Sequence, residues 1–157
     1  MERLKIYDVL HNENLCQIKL ITKNSGCVED LFKQLGNREI KIKFFAFHQD
    51  ENERSQFTFC VEKSALKTTQ KILREIPLDE KDVQINPTVG MVAIYGPHFA
   101  EKSGIIDIMH SAISSRGINI LAISTTISTS YFIIHSSDVL RAVSCLNETF
   151  EIPQGKV

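Results

Sequence analysis

Two stretches of this 157-residue chain run through the same signals at a fixed spacing, and that repetition restricts what it can fold into. Gly26 and Gly104 are 78 residues apart, as are Ile40 and Ile118, and Ile42 and Ile120. Further on, Phe59 with Ile133 and Ile76 with Phe150 are 74 apart, so the second copy is shorter by about four residues in its hairpin. Matching helix stops and strand alternation at a steady offset argue for a duplicated unit.

In the first half, Cys16, Ile18 and Leu20 alternate with Gln17, Lys19 and Ile21, the period-two pattern of a strand. Val28, Leu31, Phe32 and Leu35 take helical spacing, and Gly36-Asn37 is expected to stop that helix. Ile40, Ile42 and Phe44 predict a second strand and Phe57, Phe59 and Val61 a third, with a charged tip from Gln49 to Ser55. Ser64 is placed to cap a second helix that Pro77 ends. In the second half Met91–Tyr95 predicts a strand closed by Gly96-Pro97. Ile105, Ile108, Met109, Ala112 and Ile113 form one helical stripe, Gly117 suits a left-handed helix end, and Ser137 is placed to cap the last helix. Ile118–Ile123 and Tyr131–Ile134 are β-rich runs that can pair.

Each unit therefore reads β-α-β-β-α, which becomes the ferredoxin-like βαββαβ when one strand is added. The fold class expected is α+β, with two antiparallel sheets each carrying its helices on one face. Asp82–Asn86 supplies the fourth strand of the first unit, ending at Pro87. The second unit runs out of chain after its last helix, and the only spare strand is residues 3–11, before a turn-like break at His11–Asn14. The expected domains are 12–87, and 88–157 together with strand 3–11, the first inserted within the second.

A net charge of −1 offers no footprint for nucleic acid or an anionic membrane. No stretch reaches the length of a membrane span, and the amino terminus lacks a signal-peptide core, which places the expected location in the cytoplasm. The four cysteines show no CxxC spacing and are expected as buried thiols. The five histidines lie in different elements without metal-ligand spacing, and no catalytic motif is present, so neither a metal, a cofactor nor a catalytic residue is expected.

The loop Gly96-Pro97-His98-Phe99-Ala100-Glu101-Lys102-Ser103-Gly104-Ile105, and the run Gly117-Ile118-Asn119-Ile120 followed by Ile123-Ser124-Thr125, resemble the ACT domain of the aspartokinase regulatory region. The likeness extends along nearly the whole chain, including the interleaved order of units. It implies a regulatory sensor without its kinase, hence no enzyme. ACT domains usually bind amino acids between two units, using the strand-to-helix loop of one and the start of the second strand of another. Transferred by position, the resemblance implies a site at His98, Phe99, Ala100, Ser103, Gly104 and Ile105 with Asn119 and Ile120. In the first unit it implies Lys23, Asn24, Ser25, Gly26 and Cys27 with Lys41 and Ile42.

Both loops lead into a helix N-terminus, where unpaired N–H groups and the dipole favour a carboxylate. Lys23 and Lys41 would repel the ammonium of an amino acid, so the second loop is the better site. The function implied is binding of an aspartate-family amino acid such as lysine, threonine or methionine, in a homodimer formed through ACT sheet pairing. A different class of reading is a protein-interaction subunit of an aspartokinase-like enzyme, with a kinase or other biosynthetic enzyme as partner and no ligand of its own.

Overall fold

A computed structural model of the protein describes residues 2–96 and 104–153. The chain divides into two compact units, a central one of Asn14–Thr88 and a terminal one of Met1–Glu13 with Val89–Val157. The central unit takes most of β1 (Asp8–Thr22), then α1 (Ser25–Asn37), β2 (Phe44–Gln49), β3 (Ser55–Glu62), α2 (Leu66–Glu75) and the first part of β4 (Val83–Tyr95). The terminal unit takes the start of β1, the rest of β4, then α3 (Ile105–Ser115), β5 (Ile120–Thr125), β6 (Thr129–His135) and α4 (Val139–Thr149). Strand order is β2-β3-β1-β4 in the central unit and β1-β4-β6-β5 in the terminal one. The β1–β3, β2–β3, β4–β6 and β5–β6 pairs are all antiparallel.

Each unit has its own core on one sheet face. In the central unit Cys16, Ile18 and Leu20 of β1 and Phe57, Phe59 and Val61 of β3 meet Leu31 and Leu35 of α1 and Ile72 and Leu73 of α2. In the terminal unit Val92, Ile94, Phe132 and Ile134 meet Met109 and Ile113 of α3 and Ala142 and Leu146 of α4. The alternation in the strands and the helical stripes are thus one burial requirement seen from two sides. The 78-residue spacing holds where the helices are buried, pairing Cys27 with Ile105, Leu31 with Met109 and Leu35 with Ile113. In the third strands the spacing is 73 rather than 74. Phe59 lies opposite Ile18 and Phe132 opposite Val92, all four facing their helices. Matching Phe59 to Ile133 was one residue out, and one residue turns a strand side chain to the other face.

Local breakers mattered less than pairing did. The expected turn at His11–Asn14 is absent, and β1 runs through it unbroken. Pro87 does not end its strand either. A proline is tolerated where no neighbour needs its N–H, and pairing with β6 begins only at Val89. β2 and β5 start later than the sequence suggests, at Phe44 and Ile120, because Ile118 is first turned into the core. Ile108 lies off the buried stripe and is 39% exposed. Ser64 and Ser137 sit inside short 3-10 turns (Lys63–Ala65 and Ser136–Asp138) instead of capping α-helices, and Ser137 N donates to His135 Nδ1 at 3.2 Å.

Gly117 is left-handed as expected, with φ 71, but the first copy does not use Gly36 for the purpose. The left-handed residue there is Glu39, φ 57, which stands 78 positions before Gly117. An L-residue in this region is strained against its own Cβ, and glycine is not. Glu39→Gly is therefore expected to stabilise the protein by about 1 kcal/mol. Urea melts of the two proteins side by side check this, and an unchanged or lower midpoint contradicts it.

Candidate functional site

The two strand-to-helix junctions, expected to be equivalent, differ. At the first, only Lys23 and Asn24 separate β1 from α1. Asn24 is the N-cap, and its Oδ1 accepts from Gly26 N at 3.0 Å and from Cys27 N at 3.4 Å. Two of the donors a carboxylate would use are already taken by the chain's own side chain. Cys27 points inward, its Sγ donating to Pro77 O at 3.6 Å. Lys23 is exposed and makes no ion pair among the described residues.

The second junction is built otherwise. His98, Phe99, Ala100 and Ser103 lie outside the described residues. Gly104 stands at the N-cap of α3 in the left-handed conformation, φ 84, and among the described residues no side chain caps the helix. A Cβ at 104 would meet no atom of the described residues within 4 Å, and the backbone angle by itself favours glycine there. Ile105 sends its side chain into the core and can offer a ligand only its amide. Asp107, in the first turn, opposes part of the positive end of the helix dipole, and its Oδ1 accepts from Ser111 Oγ at 3.4 Å.

Lys41 and Ile42, and Asn119, lie in the lead-in to the second strands, while Ile120 opens β5. Asn119 is exposed, with no hydrogen-bond partner for its amide among the described residues. Lys41 is exposed too, beside a depression of about 310 Å³ lined by Ile40, Lys43, Glu62 and Ser64, where Lys43 Nζ lies 3.7 Å from Glu62. Within one unit a junction and its lead-in sit at opposite ends of the intervening helix. For the 13 residues of α1 that is roughly 20 Å. In the central unit the two halves therefore stand too far apart to meet on one small molecule.

All four cysteines are free and buried. Burial, with the Cys16 thiol nearby, pushes the Cys60 thiol up to about 12, and burial raises Cys16 as well. Neither carries a thiolate near neutral pH. Among the described residues no group of three His, Cys, Asp or Glu side chains is placed to hold a metal ion, and no helix is long and apolar enough to cross a membrane.

The ACT domain pattern matches from Gln84 in β4 to Glu148 in α4, the stretch that holds Gly104 and Asn119. The chain carrying it is 26% identical over 153 residues to Aspartokinase 1 of Bacillus subtilis, with 96% of this chain covering 36% of that protein. It thus spans about a third of that relative's length. The regulatory subunit of aspartate kinase from Thermus thermophilus, in its ligand-free form, superposes with a TM-score of 0.81 at 24% identity. That match covers 93% of this chain and 99% of that one. Aspartokinase III of E. coli in complex with lysine and aspartate superposes at 0.70 and 15% identity, covering 95% of this chain and 34% of that one. These likenesses show the fold, the ferredoxin-like antiparallel sheet and helices of ACT proteins.

Sequence reasoning missed two features of the central unit. Phe32, Phe45, Phe47 and Phe57 form a run of ring contacts with centroids 4.9 to 6.2 Å apart, and Phe47 stays 53% exposed on the edge strand β2. The signal for it was three phenylalanines in the four residues Phe44–Phe47. The other is a pocket between α2 and β4, whose residues are too scattered along the chain to leave a local signature.

Proposed function

We propose that this chain is a non-catalytic regulatory module of the aspartokinase type. In this reading it holds two ACT units, 12–87 and 88–157 with strand 3–11, and binds an aspartate-family amino acid where units of two chains meet. The observation that carries it is the contrast between the junctions. Among the described residues no side chain caps α3 behind Gly104 and nothing bonds the Asn119 amide, whereas Asn24 plugs the start of α1. An α-carboxylate fits the α3 amides, and the Asn119 side chain can accept from an ammonium or donate to a carboxylate. The first junction, with Lys23, Asn24 and Lys41, is assigned no amino acid. Lysine leads the ligands to be tried, since E. coli aspartokinase III was solved with it.

The edge strands support a homodimer. β2 ends one sheet order with Phe45 and Phe47 half exposed, and β5 ends the other with Ile123 exposed. Unpaired edges of this kind invite a second copy. Four buried, unbridged thiols suit a reducing cytoplasm.

The expected result is that lysine, threonine or methionine at millimolar concentration raises the melting temperature of a dimer seen by mass measurement. Ligand at one hundred times its Kd adds about 2.7 kcal/mol, and Asn119→Ala should remove the shift. No shift with any of the common amino acids overturns ligand binding. The second reading, a subunit that acts by binding an enzyme, rests on the likeness that covers 99% of the Thermus thermophilus regulatory subunit. Mixing with an aspartokinase catalytic chain tests it, and the absence of a complex counts against it.

A further inference from the structure

The pocket between α2 and β4 lies wholly in the central unit and uses none of the residues assigned to the ACT site. Its volume is about 360 Å³, at the small end of ligand pockets and ample for one amino acid. The floor is aliphatic, made by Leu73, Leu78, Val83 and Ile85, of which the last three are only partly buried. Gln70 and two opposite charges, from different elements, complete the lining. Arg74 comes from the last turn of α2, and Glu80 from the 3-10 turn Glu80–Asp82 that leads into β4.

Among the described residues neither charge is committed elsewhere. The neighbouring ions are: Glu75 lies 3.9 Å from Arg38, and Lys81 Nζ lies 3.4 Å from Asp79. Asp79 Oδ1 also accepts from Lys81 N, fixing the turn that presents Glu80. The Arg74 and Glu80 side chains make no ion pair or hydrogen bond among the described residues, and they do not meet each other within 4.0 Å. An unpaired guanidinium and an unpaired carboxylate over an aliphatic floor complement a zwitterion with a hydrocarbon tail.

We propose that this pocket is a binding site for a free aliphatic α-amino acid of the leucine, isoleucine or valine kind. The carboxylate is held by the Arg74 guanidinium, whose fork matches two oxygens, and the ammonium by Glu80. The hydrocarbon tail covers Leu73, Leu78, Val83 and Ile85, apolar surface that is otherwise wet. A lysine ligand is disfavoured, because its second ammonium would have to leave water over that floor. The proposal goes beyond the ACT reading and stands or falls separately.

The test is calorimetric titration of the full chain with L-leucine, L-isoleucine and L-valine, with N-acetyl-L-leucine and L-leucinamide as probes of each charge. Binding of at least one of the three is expected, weakened tenfold or more by Arg74→Gln and by Glu80→Gln. Loss of the ligand's ammonium in N-acetyl-leucine, or of its carboxylate in leucinamide, should weaken binding as much. Asn119→Ala should leave leucine affinity unchanged, which separates this pocket from the α3 site. Both charge variants lie on the surface, and retained circular dichroism establishes that they fold. No heat with any of the three at 10 mM, affinity retained in Arg74→Gln, or loss on Asn119→Ala overturns the assignment.

Discussion

Phe132→Ala is expected to remove about 3–5 kcal/mol from the stability of the terminal unit. Phe132 is fully buried, faces Val92 across the β4–β6 ladder, and packs in the core that Met109, Ile113, Ala142 and Leu146 close from the helix side. Truncation loses the transfer free energy of the ring and leaves a cavity that two helices on a sheet cannot fill by a small shift. Native domains stand only about 5–15 kcal/mol above unfolding, so roughly a fifth or more of the margin goes. A urea titration followed by circular dichroism reads it as a large fall in midpoint. Phe47→Ala is the control, since an exposed ring on β2 should change monomer stability by less than about 1 kcal/mol. Equal effects of the two would show that Phe132 is not a core residue.

Gly90→Ala is expected to be nearly as damaging, for the opposite reason. A Cβ at 90 would stand 2.3 Å from Val139 Cγ2, 2.8 Å from the backbone oxygen of Asn12 and 3.4 Å from Glu13 Cα. Val139 is buried at the start of α4 and, being β-branched, has little rotamer freedom there. The Asn12 oxygen belongs to β1, and moving it disturbs a strand. Overpacking of this degree costs about 3 kcal/mol. Adding Val139→Ala removes the nearest clash but not the one with Asn12, so the double variant should recover part of the loss, with a coupling of about 1 kcal/mol. Hydrogen exchange should place the damage in the amides of β4 and β6. Wild-type stability in Gly90→Ala would mean that β1 does not approach β4 as closely as described.

Gly90 also shows why the close strand approach was hidden. Nothing near it in sequence marks it as crowded, because Asn12 and Val139 come from distant parts of the chain. The same holds for the junctions. The residues Lys23 to Cys27 suggested free amides, but Asn24 turns back to cap them, and a side chain that can reach either solvent or its own backbone leaves no trace in periodicity. At Gly104 the start of a helix was legible from the stripe that Ile105 opens; the left-handed angle was not.

The local order of the chain settled the element types, since period-two runs such as Cys16–Leu20 and the helical stripe through Leu31 and Leu35 each bury only one face, and a helix face on a sheet face buries both. It also made the ACT resemblance of the second half readable from Gly104 and the Gly117–Ile120 run. Only the tertiary structure decided which side of β3 and β6 matched, that β1 and β4 run on through His11–Asn14 and Pro87, and that Asn24 plugs the start of α1 while no described side chain caps α3. It alone assembled the pocket of Leu73, Arg74, Glu80 and Ile85. Those outcomes depend on contacts between residues far apart in the chain, where a shift of one position in register, or one rotated amide, reverses the result at almost no change in local preference.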